Sequence, residues 1–125
     1  MTENETSYQI RGAIFDAYNH FGPGLLERVY QIFMIENLKR RGCTVRSEVP
    51  IDMEVNGEIV RDAFRIDLLV NDCVIVELKS TTVMKELFIK QLMTYLRITG
   101  KKLGILVNFK TDDISKSIYR RVNKL

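Results

Sequence analysis

Histidine is nearly absent from this sequence, with His20 alone among 125 residues. Serine–histidine or cysteine–histidine catalysis, or a zinc site of paired imidazoles, would depend on that one side chain. Its place near a helix end, just before Gly22, marks it as a surface or capping residue. Cysteine is scarce too. Cys43 and Cys73 lie far apart, with no CxxC spacing, so zinc and redox sites lack ligands and both read as structural residues. No apolar run approaches the ~20 residues that span a bilayer. The first residues, Met1 to Thr6, are polar and acidic, the opposite of a secretory signal, and a cytoplasmic protein is expected. No repeat, linker or low-complexity segment interrupts the chain. It reads as a single domain over 1–125, with 1–5 as a flexible tail. Chemistry here must run on carboxylates and lysine.

What is present is an ordinary globular composition, 46% hydrophobic and 28% charged, which excludes disordered and fibrous classes. The net charge of +3 is unevenly spread. Residues 1–83 carry 9 basic and 13 acidic side chains, residues 84–125 carry 10 and 3. A polyanion would be drawn to the second segment, where Lys85, Lys90, Arg97, Lys101 and Lys102 are the candidate contacts; a solvated basic face accounts for the charge equally well.

Apolar spacing predicts a helix over 6–20 through Ile10, Ala13, Ile14, Ala17 and Tyr18, with Thr6 or Ser7 as its cap. Gly22-Pro23-Gly24 breaks it. A second helix is expected from Leu25 to Arg41, with Leu26, Val29, Tyr30 and Phe33 inward and Gly42 as the stop. Strands are expected at Thr44–Val49 and Ile51–Val55, then an Asn56-Gly57 turn and a short return at Glu58–Val60. Ala63–Val70 alternates, with Phe64, Ile66, Leu68 and Val70 on one face and Asp67 on the other. After a turn at Asn71-Asp72, Cys73–Lys79 places Val74, Val76 and Leu78 on one face and Ile75, Glu77 and Lys79 on the opposite one. A helix over Met84–Thr99, a strand over Leu103–Phe109 and a final helix over Asp112–Val122 complete the order ααβββββαβα. An α/β fold is expected, one mixed central sheet with helices on its faces.

Glu77 and Lys79, two apart on a strand, project from one face with Cα atoms about 6.5–7 Å apart. Asp67, on the preceding strand, can reach the same place. Two carboxylates suit a hard cation such as Mg²⁺, and a lysine beside them can orient water or offset charge on a phosphoryl oxygen. An ordinary cross-strand salt bridge is the plainer alternative. Against it, the pair ends the apolar strand Val-Ile-Val-Glu77-Leu-Lys79, where unpaired charge is costly. Gln91 interrupts an apolar stripe of Met84, Leu87, Phe88, Tyr95 and Ile98, and a buried amide needs partners.

At these residues the chain resembles the PD-(D/E)XK superfamily of metal-dependent nucleases, whose signature is an Asp followed by (Asp/Glu)-x-Lys on the next strand: here Asp67, then Glu77-Leu-Lys79. Gly24-Leu-Leu-Glu27-Arg-Val-Tyr30 is similar to the motif of the GxxExxY family within it, a resemblance that extends over about residues 10–122 and includes Gly104-Ile-Leu-Val-Asn108-Phe109. Gln91-Leu-Met-Thr-Tyr95 resembles the third motif of lambda-type exonucleases. Close relatives often carry His where this chain has Phe88. The resemblance implies a restriction-endonuclease-like core and Mg²⁺-dependent phosphodiester hydrolysis, with Mn²⁺ as a substitute, on DNA ahead of RNA. It implies Asp67 and Glu77 as metal ligands, joined by the Leu78 carbonyl and by Glu27 through water. Lys79 would position the attacking water, with Gln91 and Tyr95 completing the catalytic set. The rival expectation is a nucleic-acid- or protein-binding module that keeps the fold without turnover. A compact homodimer acting on DNA structure, similar in size to archaeal junction resolvases, is a variant of the enzyme reading.

Overall fold

The computed structural model describes residues 1–83 and 85–125, so the expected first residue of the third helix, Met84, lies outside the described residues. Helix α1 (Glu3–Phe21) starts ahead of the expected cap at Thr6 or Ser7. The cause is a reciprocal capping box: the Glu5 N–H donates to the Thr2 hydroxyl and the Thr2 N–H donates to the Glu5 carboxylate, both at 3.1 Å. Residues 3–5, expected in a flexible tail, therefore form the first turn. Thr6 is buried, and its hydroxyl accepts a bond from the Asn71 side-chain amide at 2.9 Å. Helix α2 (Glu27–Arg40) begins later than expected, and its N-cap Leu26, expected in the core, is 77% exposed. Tyr30 is buried as expected, and Met34 and Leu38 continue the buried stripe at four-residue spacing.

Five strands build one mixed sheet in the order β1-β2-β3-β4-β5: β1 (Val45–Val55), β2 (Glu58–Val70), β3 (Val74–Lys79), β4 (Leu103–Asn108) and β5 (Ile118–Val122). Only β3 and β4 run parallel, joined through helix α3 (Lys85–Thr99). Helices α1 and α2 cover one face and α3 the other. The expected order ααβββββαβα changes at three places. The two strands expected around Pro50 are one, because β1 is the outer strand and a proline without an N–H is tolerated there. Glu58–Val60 and Ala63–Val70 likewise run on as β2. The expected helix over Asp112–Val122 is a short 3-10 turn, Ile114–Lys116, followed by β5. Asp113 caps only that turn, and Ile118, Tyr119 and Val122 suit a strand that pairs with the otherwise open edge of β4. The turn at Asn56-Gly57 is as expected, with φ of 51° and 83°, the left-handed pair that a tight hairpin requires.

Gly104 decides how α3 lies on the sheet. A Cβ there would stand 2.7 Å from Leu92 Cδ1, so the missing side chain lets Leu92 pack directly on β4. Leu92 and Leu96 are the buried residues of α3, flanked by Phe88, Ile89, Met93 and Tyr95. The expected stripe is thus rotated: Leu87 is 62% exposed and Ile98 faces solvent.

Strict alternation on β2 fails at the residue that matters most. Phe64 and Ile66 pack on the α3 side, whereas Leu68 and Val70 pack under α1 and α2, so the four do not share the single face expected of them. On β1 the same exchange separates Val45 from Val49 and Ile51. Between these halves lie Glu48 and Asp67, opposite one another in a register that pairs Ser47 with Leu68 and Val49 with Ile66. Glu48 has φ of 49°, a left-handed conformation that is strained for a residue with a side chain. The hairpin therefore turns over at the Glu48–Asp67 level, and the candidate site forms at that break.

Candidate active site

The paired ladder of β2 and β3 ends at Leu68 and Val76. Beyond it the strands diverge, and side chains take over the exposed backbone N–H groups. The Asp67 N–H donates to Glu77 Oε2 at 3.0 Å, and the Leu78 N–H donates to Asp67 Oδ2 at 2.8 Å. Each carboxylate thus replaces a ladder bond and is held by the other's strand. Two residues further on, the Phe109 N–H donates to the Lys79 carbonyl at 2.8 Å and keeps the end of β3 in place.

Glu77 is 4% exposed, and burial raises its pKa to about 9; the Asp67 charge adds to the rise, while the Asp67 N–H and Lys79 oppose it. Burial also raises Asp67, against the Leu78 N–H, its bond with the Glu77 carboxyl, and Lys79. Burial of two adjoining carboxyls thus favours a proton shared between them, while the nearby Lys79 charge works against it. A divalent cation can take the place of that proton. No third acid closes around the pair: among the described residues, no group of three His, Cys, Asp or Glu side chains is gathered tightly enough to hold a metal ion. Two carboxylates with water and phosphate completing the shell is a donor set that suits Mg²⁺.

Glu27 is the first residue of α2, at the rim. Partial burial raises its carboxyl, Lys79 lowers it, and Asp67 and Glu48 raise it further, which puts all four groups in one electrostatic neighbourhood. The loop before it is clamped by Tyr30, whose hydroxyl donates to the Gly22 carbonyl at 2.6 Å and accepts from the Leu25 N–H at 3.1 Å. The Tyr30 ring stacks on Phe109 at 4.0 Å, and the Ser80 hydroxyl donates to the Leu25 carbonyl at 2.6 Å. The glutamate and tyrosine of the Gly24-to-Tyr30 motif thus have different tasks, one facing the site and one holding the loop. Tyr30→Phe is expected to lower stability by about 1–3 kcal/mol while the stacking survives. A thermal melt equal to wild type would show that the loop is held by other means.

Two further residues join the site. Glu48 stands opposite Asp67 through the register of β1 on β2, which pairs Ser47 with Leu68 and Val49 with Ile66. Gln31 donates from one amide nitrogen to Glu48 Oε1 at 2.9 Å and to the Asp67 carbonyl at 3.1 Å, tying α2 to both strands. Its spacing of four residues from Glu27, on the same helix face, is a signal that was there to be read. Asn108, at the end of β4, holds the segment after Lys79 by accepting from the Thr81 N–H and donating to the Thr81 carbonyl at 2.7 Å.

From α3, Tyr95 stacks on Phe64 at 4.1 Å; burial raises its hydroxyl, and the Glu77 and Asp67 charges add to the rise. Gln91 is half-buried one turn earlier, and among the described residues no hydrogen bond joins it to Asp67, Glu77 or Lys79. The basic residues divide. Lys85 lies over the Tyr119 ring at 5.0 Å, one turn before Phe88, and Lys90 is exposed. Arg97 and Lys102 line a cavity of about 330 Å³ with Gly100, Asn123 and Lys124. Lys101 donates to the Asp72 carbonyl at 2.8 Å and pairs with its carboxylate at 3.7 Å. Asp72 precedes β3 and Lys79 ends it, so this group sits at the other end of the strand, roughly 17 Å away along it.

Comparison with known proteins decides the family. A family model described as the PD-(D/E)XK nuclease superfamily matches residues 4–122. The chain belongs to this superfamily. Members of the superfamily generally use divalent metals. The crystal structure of SSO0001 is similar at a TM-score of 0.55 and 20% identity, over 94% of this chain, a likeness of fold. The chain spans 64% of the length of that protein. No curated protein matches the sequence. Among the described residues, no helix is long and apolar enough to cross a membrane.

Proposed function

We propose that this PD-(D/E)XK protein is a divalent-metal-dependent nuclease of the GxxExxY type that hydrolyses phosphodiester bonds in DNA. The observation that carries the reading is the Asp67–Glu77 pair, two carboxylates brought together on a buried strand end where β2 and β3 part, each accepting an N–H of the other's strand. A structural salt bridge gains nothing from a second carboxylate forced into the same buried place, whereas a cation site requires it. Asp67 and Glu77 would hold Mg²⁺, with Glu27 reaching it through water. When bound there, the ion would supply Lewis-acid charge for a phosphate. Lys79 orients the attacking water and offsets charge that builds on the phosphoryl oxygens. Tyr95 and Gln91 border the place where the phosphate would lie. Lys85 and Lys90 extend positive charge from the site along α3, while Arg97, Lys101 and Lys102 would contact substrate only beyond it. A cytoplasmic protein and a homodimer belong to the same proposal.

The test is metal binding. Calorimetry with Mn²⁺ is expected to show one site in wild type and at least about a hundredfold weaker binding in Asp67→Asn. Equal affinity in the two proteins would overturn the assignment. Metal and DNA binding without cleavage would select the binding-module reading instead.

A further inference from the structure

Lys79 is the basic side chain that β3 brings to this site, and an aromatic ring stands against it. Its ammonium lies 4.5 Å from the centroid of the Phe88 ring, on the ring face. It influences Glu27, Asp67 and Glu77 electrostatically, yet among the described residues it forms no direct ion pair with any of them. The Phe88 ring is itself fixed, half-buried on α3 beside the cluster of Ile75, Leu92 and Leu96.

We propose that Phe88 is a positioning residue that holds the Lys79 ammonium over the Asp67–Glu77 pair without consuming its charge. The inference deepens the nuclease reading and rests on Lys79 acting at the hydrolytic centre. A lysine on a four-carbon stem samples many rotamers, and something must choose one. A carboxylate partner would choose it at the expense of the charge and of the N–H donors. An aromatic face attracts the cation through its quadrupole and leaves the other side of the ammonium open to water and phosphate. The attraction grows as the pair is withdrawn from solvent, and both Lys79 and Phe88 are half-buried. The nearby Lys85–Tyr119 contact is a looser version of the same geometry at an exposed residue.

The test uses the full chain with carbon-13-labelled lysine, the Lys79 signal being identified by its loss in Lys79→Ala. In wild type the Lys79 Hε protons are expected upfield of the other lysines, shielded by the ring. In Phe88→Leu they should return to the common position, and in Phe88→Tyr they should stay shielded. Cleavage of DNA with Mg²⁺ should show kcat at least about tenfold lower in Phe88→Leu, with KM within about twofold, and recovery in Phe88→Tyr. A Lys79 signal at the same place in wild type and Phe88→Leu overturns the proposal. So does a Phe88→Leu protein that loses the shielding and keeps the wild-type kcat. If wild type cleaves nothing, the nuclease reading falls, and the Lys79 resonance alone decides whether the ring positions the lysine.

Discussion

Lys79→Ala is expected to abolish Mg²⁺-dependent cleavage, by at least a hundredfold or about 2.7 kcal/mol of transition-state stabilisation, and to leave the fold intact. The two parts of the expectation separate because of where Lys79 sits. Its backbone carbonyl accepts the Phe109 N–H, a bond that alanine retains. Its side chain is half-buried at a strand end and supports no ion pair within the described protein, so stability should stay within about 1 kcal/mol of wild type. Metal affinity should hold or rise, because the lysine repels a cation placed between Asp67 and Glu77. That combination distinguishes Lys79→Ala from Asp67→Asn, which removes the metal itself. Activity that persists in a highly purified Lys79→Ala preparation would trace the cleavage to a contaminant. A loss of activity that follows a loss of fold would make Lys79 a structural residue.

Glu77→Gln is expected to stabilise the metal-free protein at alkaline pH while removing its metal site. In the folded chain the Glu77 carboxyl titrates near 9, far above its ordinary 4.5, chiefly because it is buried. Between those values the folded protein holds a proton that the unfolded chain releases, so stability falls as pH rises through the window. The metal-free wild type, kept in chelator, should be less stable at pH 8.5 than at pH 6 by roughly 1–3 kcal/mol. Glutamine resembles the protonated glutamate: its carbonyl can accept the Asp67 N–H and its amide can donate to the Asp67 carboxylate. The variant should therefore lose most of the slope and melt above wild type at pH 8.5. Mn²⁺ should raise the melting temperature of wild type and not of the variant. A wild type that grows more stable from pH 6 to 8.5, or a variant with an unchanged slope, would sink the assignment of the proton to Glu77.

Some of this arrangement was legible in the chain itself. Glu77 and Lys79 follow an apolar strand with a spacing that sends both to one face, and the Asn71-Asp72 turn returns β3 antiparallel to β2, which carries Asp67. The left-handed turn at Asn56-Gly57 was equally plain. Other features depended on pairings that local pattern does not contain. Residues 118–122 have charges and a preceding acidic turn that fit a helix, and only the open edge of β4 makes them a strand. Asp67 was expected across from an unbroken apolar face, but Ile66 and Leu68 belong to different cores. The face exchange requires strain at Glu48 on the neighbouring strand, a residue far from Asp67 in sequence.

By itself, the sequence determined the chemical inventory: no histidine pair, no thiol cluster, and a carboxylate with a lysine at strand spacing. Those follow from residue identity and from backbone periods of two and 3.6, which are local. Tertiary structure alone decided what the inventory does. It buried Glu77 deeply enough to keep a proton, brought Glu48 and Gln31 up to Asp67, and set the Lys79 ammonium against Phe88. It also carried Lys101 and Lys102 to the far end of β3, although they follow α3 closely in the chain. The reason is physical: burial, register and charge–charge distance belong to pairs of residues, and the pairs are chosen only when the helices and the sheet pack.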